Sequence, residues 1–224
     1  MTASPAPTPD WQHIDTVLFD LDGTLLDLSF DNHVWREIVP AAYAAARSLT
    51  HEEARAALQE RLRARAGTLD WYCMDYWSRE LELDVTELHR THAGRIGWLP
   101  GAREALIGLK ARGKRLVLIT NAHPQTLQIK DEWVDVRRYF DAVYSSHDFG
   151  VPKEDARFWP AVRKVEPYDP ERTLFVDDNA AVLKAARAAG IRWVYAMCRP
   201  DSSRPPREHP DFPGVHSVAE LLDL

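Results

Sequence analysis

Two aspartates one residue apart end an apolar run in Val17-Leu18-Phe19-Asp20-Leu21-Asp22-Gly23-Thr24-Leu25-Leu26. Residues i and i+2 of a strand point to the same side. Gly23 breaks the extended run, so Asp20 and Asp22 crowd one opening at a strand's carboxyl end. Carboxylates held that close repel, which raises a pKa or demands a cation. Taken alone, the stretch fits equally a strand closing in a polar Asp-Gly turn.

Other boundaries carry related chemistry. Arg115 to Ile119 reads as a strand ending in Thr120-Asn121, and Arg172 to Val176 as one ending in Asp177-Asp178-Asn179. Between them Lys153 follows the turn Gly150-Val151-Pro152. Acidic groups from two strand ends would make a hard, oxygen-rich site suited to Mg²⁺. A hydroxyl, an amide and an ammonium beside it would cradle a phosphate. Each piece has a structural reading of its own, as cap, solvated charge or helix N-cap. All four in this order on secondary-structure boundaries are a functional signature.

The elements that position these groups alternate. Strands are expected at 14–19, 115–119, 142–146, 172–176 and 192–197, separated by helices at 102–112, 124–133, 155–165 and 180–189. That alternation implies right-handed crossovers and a parallel sheet covered on both faces. From Ser29 to about Gly97 the sequence is helical throughout. Thr50-His51-Glu52-Glu53 has the capping-box pattern, and 70–83 reads as one helix of unusual aromatic weight. Residues 199–213, dense in Pro and charge, read as a surface loop before a short terminal helix at 218–222. The fold class is therefore α/β, a Rossmann-like parallel sheet interrupted by an all-α insertion. Expected bounds are 1–12 for a disordered lead-in, 13–27 and 98–224 for the sheet core, and 28–97 for the insertion. Ligands in open parallel sheets bind beyond the strands' carboxyl ends, where an inserted helical cap would cover them.

Composition narrows the partners. With 224 residues, 45% of them hydrophobic, the chain can bury a sizeable core, and its net charge of -6 argues against a polymeric nucleic-acid surface. Two cysteines, Cys73 and Cys198, are too few for a disulfide framework and fit a reduced cytoplasm. The Ala/Pro/Thr-rich start lacks a signal-peptide pattern, and no apolar run approaches membrane-spanning length.

Asp20-Leu21-Asp22-Gly23-Thr24, Thr120-Asn121, Lys153 and Asp177-Asp178 resemble, over nearly the whole chain, the four motifs of the haloacid-dehalogenase-like (HAD) phosphohydrolases. More narrowly, the stretches 25–32, 69–77 and 118–124 resemble that family's bacterial GMP/IMP nucleotidase branch. One departure is Glu154, where many relatives carry Pro after the lysine. The resemblance implies a HAD-fold core with a helical cap and hydrolysis of a small phosphate ester, a purine mononucleotide foremost. It implies Asp20 as nucleophile and Asp22 as acid and base. Mg²⁺ would be held by the Asp20 and Asp177 carboxylates and the Asp22 carbonyl, with Asp178 close by or holding a metal water. Gly23, Thr24, Thr120, Asn121 and Lys153 would serve the phosphate.

Specificity is expected from the insertion, with Phe30, Asp31, Asn32, Trp35 and Arg36 after the first motif and Trp71, Tyr72, Tyr76 and Trp77 in the aromatic helix as candidates. An aromatic face can stack a base, contributing roughly 1–3 kcal/mol, although an aromatic stripe also suits cap core. His123 is expected near the mouth. The intact Asp22 and Asp177-Asp178 argue against a dehalogenase. Residues 27 to 98 contain no Lys, which argues against a Schiff-base phosphonate hydrolase. Phosphatases or phosphomutases for phosphoglycolate or sugar phosphates share these motifs and stay open, as does a non-catalytic binding protein.

Overall fold

The computed structural model describes residues 8–224. The expected lead-in falls mostly outside them. Within the described part, Trp11 donates its indole N–H to the Leu221 carbonyl, and Lys114 Nζ donates to the carbonyls of Trp11 and Ile14. Residues 8–12 thus lie against the sheet domain.

Six parallel strands form one sheet in the order β3-β2-β1-β4-β5-β6. They are β1 (Thr16–Phe19), β2 (Arg115–Thr120), β3 (Ala142–Ser145), β4 (Thr173–Asp177), β5 (Trp193–Met197) and β6 (Gly214–Val215). The central strands are buried along their length, which is why they read as continuous apolar runs. Alternate residues feed opposite faces. Val17 and Phe19 join Leu116, Leu118, Val176 and the helices α7 (Ala102–Ala111) and α8 (Pro124–Val134). Leu18 joins Val117, Ile119, Phe175 and the helices α9 (Phe158–Val165) and α10 (Ala180–Ala188).

Between β1 and α7 lie six further α-helices. They are α1 (Ser29–His33), α2 (Val39–Arg47), α3 (His51–Arg65), α4 (Leu69–Tyr72), α5 (Met74–Leu81) and α6 (Val85–Thr91). Thr50 and Glu53 close the expected capping box at α3, and Gly67 follows that helix at φ +77°. The chains entering and leaving this layer pair with each other. Asp27 N–H donates to Gly97, Leu99 N–H to Leu25, and Leu26 bridges Trp98 in antiparallel sense. Trp77 is fully buried, with Trp35 set edge-on to it at 5.7 Å between ring centres.

Three expectations are corrected. The aromatic segment is two helices, not one. Cys73 takes an extended conformation (φ -88°, ψ 113°), and its Sγ accepts the Tyr76 N–H to cap α5. A sulfur acceptor at an N-cap was not legible among Trp and Tyr of similar helix propensity. Residues 155–157 form a turn before α9, because the Asp155 carboxylate binds the Arg157 backbone and guanidinium rather than starting a helix. The surface loop also ends in a sixth strand, β6, whose two residues are too short to show a period of their own. Among the described residues no helix is long and apolar enough to cross a membrane.

Candidate active site

Sheet register gathers the site. Phe19 lies opposite both Leu118 and Val176, so Asp20 leaves β1 beside Asp177 of β4, and Asp20 N–H donates to Val176 at 3.0 Å. Carboxylate oxygens of Asp20, Asp177 and Asp178 all lie within 4.8 Å of one another. Lys153 Nζ, fully enclosed, reaches Asp20 Oδ1 at 2.5 Å, Asp177 Oδ2 at 2.7 Å and the Ile119 carbonyl at 3.2 Å. Asn179 N–H holds the other Asp177 oxygen at 2.8 Å. Gly23 makes this proximity feasible. Its φ of +86° suits glycine, and a Cβ there would stand 2.9 Å from both Asp178 Cγ and Pro200 Cβ.

Electrostatics make the cluster a candidate cation site. Burial lifts the Asp20 carboxyl well above its ordinary range against the pull of Lys153, and Asp177, Asp178 and Asp22 add to the rise. Burial, then Asp177, pushes Asp178 up to about 7. Three oxygen donors kept apart from their preferred ionisation by burial and mutual repulsion fit a hard divalent cation such as Mg²⁺. A consequence is measurable. A carboxyl whose folded pKa is raised contributes stability that is complete below about 3.8 and lost as pH rises through about 7. Mg²⁺ binds the ionised form, so its gain in Tm over a chelated sample should be larger at pH 8 than at pH 5. An equal gain at both pH values would contradict the assignment.

A second lysine, absent from the sequence-based set, holds Asp22. Lys130 of α8 is 1% exposed, and its Nζ donates to Asp22 Oδ1 at 2.6 Å and to Asp31 Oδ1 and Oδ2 at 2.8 and 3.0 Å. Burial opposes its charge, but the two carboxylates outweigh that and raise its pKa. Burial also raises Asp22, with Lys130 pulling the other way. The signal was a lysine on the inward face of α8, in line with the buried Leu127.

The departure at Glu154 also has a place. Its Oε2 accepts from Asn121 Nδ2 at 2.9 Å and its Oε1 from the Tyr72 hydroxyl at 2.6 Å. Asn121 Oδ1 in turn accepts the Lys153 N–H at 2.9 Å. Thr120 Oγ1 accepts the Ala122 N–H at 3.0 Å, fixing the turn after β2.

Above these groups opens a cleft of about 1470 Å³. Asp20, Asp22, Asp31, Asn32, Trp35, Arg36, Trp71, Tyr72, Thr120, Asn121, His123, Lys153, Asp177 and Asp178 all line it, joined by Arg55 and Arg63 of α3 and by Arg207. Gly23, Thr24, Phe30, Tyr76 and Trp77 do not. Thr24 is fully buried beneath the turn, and Phe30 and Trp77 are core. Tyr76 instead accepts a hydrogen bond from Arg65 Nε on the outer side, because the Cys73 break turns α5 away from α4. Asp31 is committed to Lys130 and Asn32 to Asp201 Oδ2, so the upper wall is made by Trp35, which packs on Trp77 and His89, by Arg36 and Trp71, and by Arg55, Arg63 and Arg207. His123 packs edge-on against His147 at 4.8 Å, and burial lowers the pKa of both, to about 4 for His147.

Comparison with known proteins agrees with this geometry. The model of the haloacid dehalogenase-like hydrolases matches residues 14–190. Over 212 residues the chain is 40% identical to the GMP/IMP nucleotidase YrfG of Escherichia coli, covering 95% of this chain and 96% of that protein. It is 29% identical over 215 residues to a phosphoglycolate phosphatase of Pseudomonas fluorescens, covering 92% of this chain and 78% of the other. A solved HAD phosphatase from Thermococcus onnurineus superposes with a TM-score of 0.79 at 20% identity, covering 94% of this chain and 97% of that one, a likeness of fold.

Proposed function

The chain belongs to the haloacid dehalogenase-like hydrolases, and from that premise we propose that it is a Mg²⁺-dependent purine 5′-nucleotidase. The observation that carries this reading is one cleft joining the Asp20, Asp177 and Asp178 cluster to an upper wall of indoles and guanidiniums. Its 1470 Å³ exceeds the need of a two-carbon glycolate skeleton and accommodates a nucleoside. The named activity of the 40% identical relative supports the same choice.

In the proposed mechanism Asp20 attacks phosphorus in line, forming an aspartyl-phosphate as the nucleoside oxygen leaves. Asp22, whose carboxyl burial raises above its ordinary range against the pull of Lys130, gives that oxygen its proton. It then takes a proton from the water that cleaves the acyl-phosphate, which returns Asp20. Lys130 orients Asp22 for both steps through its 2.6 Å contact. Lys153, together with Thr120 and the Asn121 backbone, holds the non-bridging oxygens. Asp20, the Asp22 carbonyl, Asp177 and Asp178 would hold Mg²⁺, which would supply charge to shield the nucleophile from the phosphate and polarise the phosphoryl group. Trp35 or Trp71 offers a stacking face to the base, and Arg36 a donor to its edge.

The test is a panel with Mg²⁺. GMP and IMP should exceed phosphoglycolate and hexose phosphates in kcat/KM by at least about tenfold, ~1.4 kcal/mol of transition-state discrimination. Equal or better turnover of the small acids would replace the nucleotidase reading with a phosphoglycolate-type one.

A further inference from the structure

The break between α4 and α5 places a thiol where two imidazoles of the sheet domain meet it. Ligand atoms of Cys73, His123 and His147 lie within 4.8 Å of one another. The three come from separate elements. Cys73 belongs to the helical layer, His123 follows the Thr120-Asn121 turn after β2, and His147 lies in the 3₁₀ turn Ser146–Phe149 after β3. Neither thiol of the chain is in a disulfide.

A second observation points at a ligand. His147 Nε2 is buried without a hydrogen-bond partner, and an unmatched buried ring nitrogen is costly unless something coordinates it. The group is held in place from both sides. Ser145 and Asp148 form a capping box around His147, and Tyr72, next to Cys73, is tied to Glu154. Asp75 Oδ2, 3.7 Å from His123 Nε2, adds a carboxylate beside the ring that favours a bound cation.

We propose that Cys73, His123 and His147 form a second metal site, selective for a borderline divalent ion such as Zn²⁺, that staples the helical layer to the sheet domain. Thiolate and imidazole donors choose such an ion over Mg²⁺, whereas the all-oxygen cluster at Asp20 chooses the reverse. Tetrahedral bonds of about 2.0–2.3 Å put ligand atoms roughly 3.3–3.6 Å apart. The present spacing therefore needs only side-chain rotation of about 1 Å, and water or Asp75 completes the fourth position. Because the ligands straddle the two layers, occupancy fixes the α4–α5 break, and with it Trp71 and Tyr72, over the cleft.

Co²⁺ titrated into the protein at saturating Mg²⁺ tests this without reference to any enzymatic activity. Wild type should develop a thiolate-to-cobalt absorption band at one equivalent, displaced by one equivalent of Zn²⁺. Cys198→Ser and Asp177→Asn should keep the band. Cys73→Ser, whose hydroxyl can still cap Tyr76, and His147→Gln should each weaken binding on the order of 100-fold or more, with circular dichroism unchanged. Absence of the band in wild type, or an unchanged Co²⁺ affinity in either of those two variants, would overturn the proposal.

Discussion

Asp20→Asn is expected to lower kcat on the order of 10⁴-fold or more while leaving the folded state intact. The amide cannot form the acyl-phosphate, and no neighbour can replace it. Asp22 is tied to Lys130, Asp177 to Lys153 and the Asn179 backbone, and Asp178 lies against Arg207. The stability expectation follows from the same contacts. Burial, Asp177 and Asp178 already work against an ionised Asp20, so removing its charge relieves the cluster. Lys153 retains Asp177 at 2.7 Å, so the ammonium is not left unpaired. Tm should be unchanged or higher. Steady-state kinetics on GMP with Mg²⁺ beside a melting curve separate the two effects. Turnover above about one per cent of wild type would remove Asp20 from the nucleophile's role.

Lys130→Met is expected to damage both stability and rate, and for separable reasons. The methionine fills a similar volume but leaves Asp22 and Asp31 without their shared counter-ion. Removing one partner of a buried ion pair costs about 3–5 kcal/mol. Side chains about 20% exposed place this case near the lower end of that range. The Asp22 carboxyl, already raised by burial, loses the lysine that pulls it down, so its folded pKa rises further. That contribution is present at low pH and lost as pH increases, and the stability deficit should be larger at pH 8 than at pH 5. Rate should fall by roughly 10²-fold, since an unoriented acid loses part of the 10²–10⁴ that general acid–base catalysis supplies. Asp31→Asn on the Lys130→Met background should restore part of the stability but not the rate, because Asp22 is still unheld. Denaturant melts and kcat measured on all three proteins decide the matter. A Lys130→Met protein with wild-type rate would confine Lys130 to a structural role.

Lys130 also shows where reading the chain alone stops. Its partner Asp22 is 108 residues away and Asp31 is 99 away. Spacing from Leu127 puts Lys130 on the inward face of α8, but nothing local shows that two carboxylates wait there to pair with it. Glu154 is similar. Its difference from the family pattern was visible, but its link between Tyr72 of the helical layer and Asn121 of the sheet exists only once both pack against it. Tyr76 failed as a cleft residue for a local reason with a long-range result. One sulfur-capped break at Cys73 rotates the following helix, so Trp71 and Tyr72 face the cleft while Tyr76 meets Arg65.

What sequence by itself determined was the alternation of buried strands and helices and the placement of Asp20, Thr120 and Asp177 at strand ends. Those features rest on local periodicity, turn chemistry and the regular register of parallel strands, which carries residues at equivalent positions to one edge of the sheet. Tertiary structure alone decided which charges are paired, which aromatics are core and which line the cleft. Burial and ion pairing depend on contacts between segments distant in the chain, and their energies are set by the dielectric and geometry that packing creates.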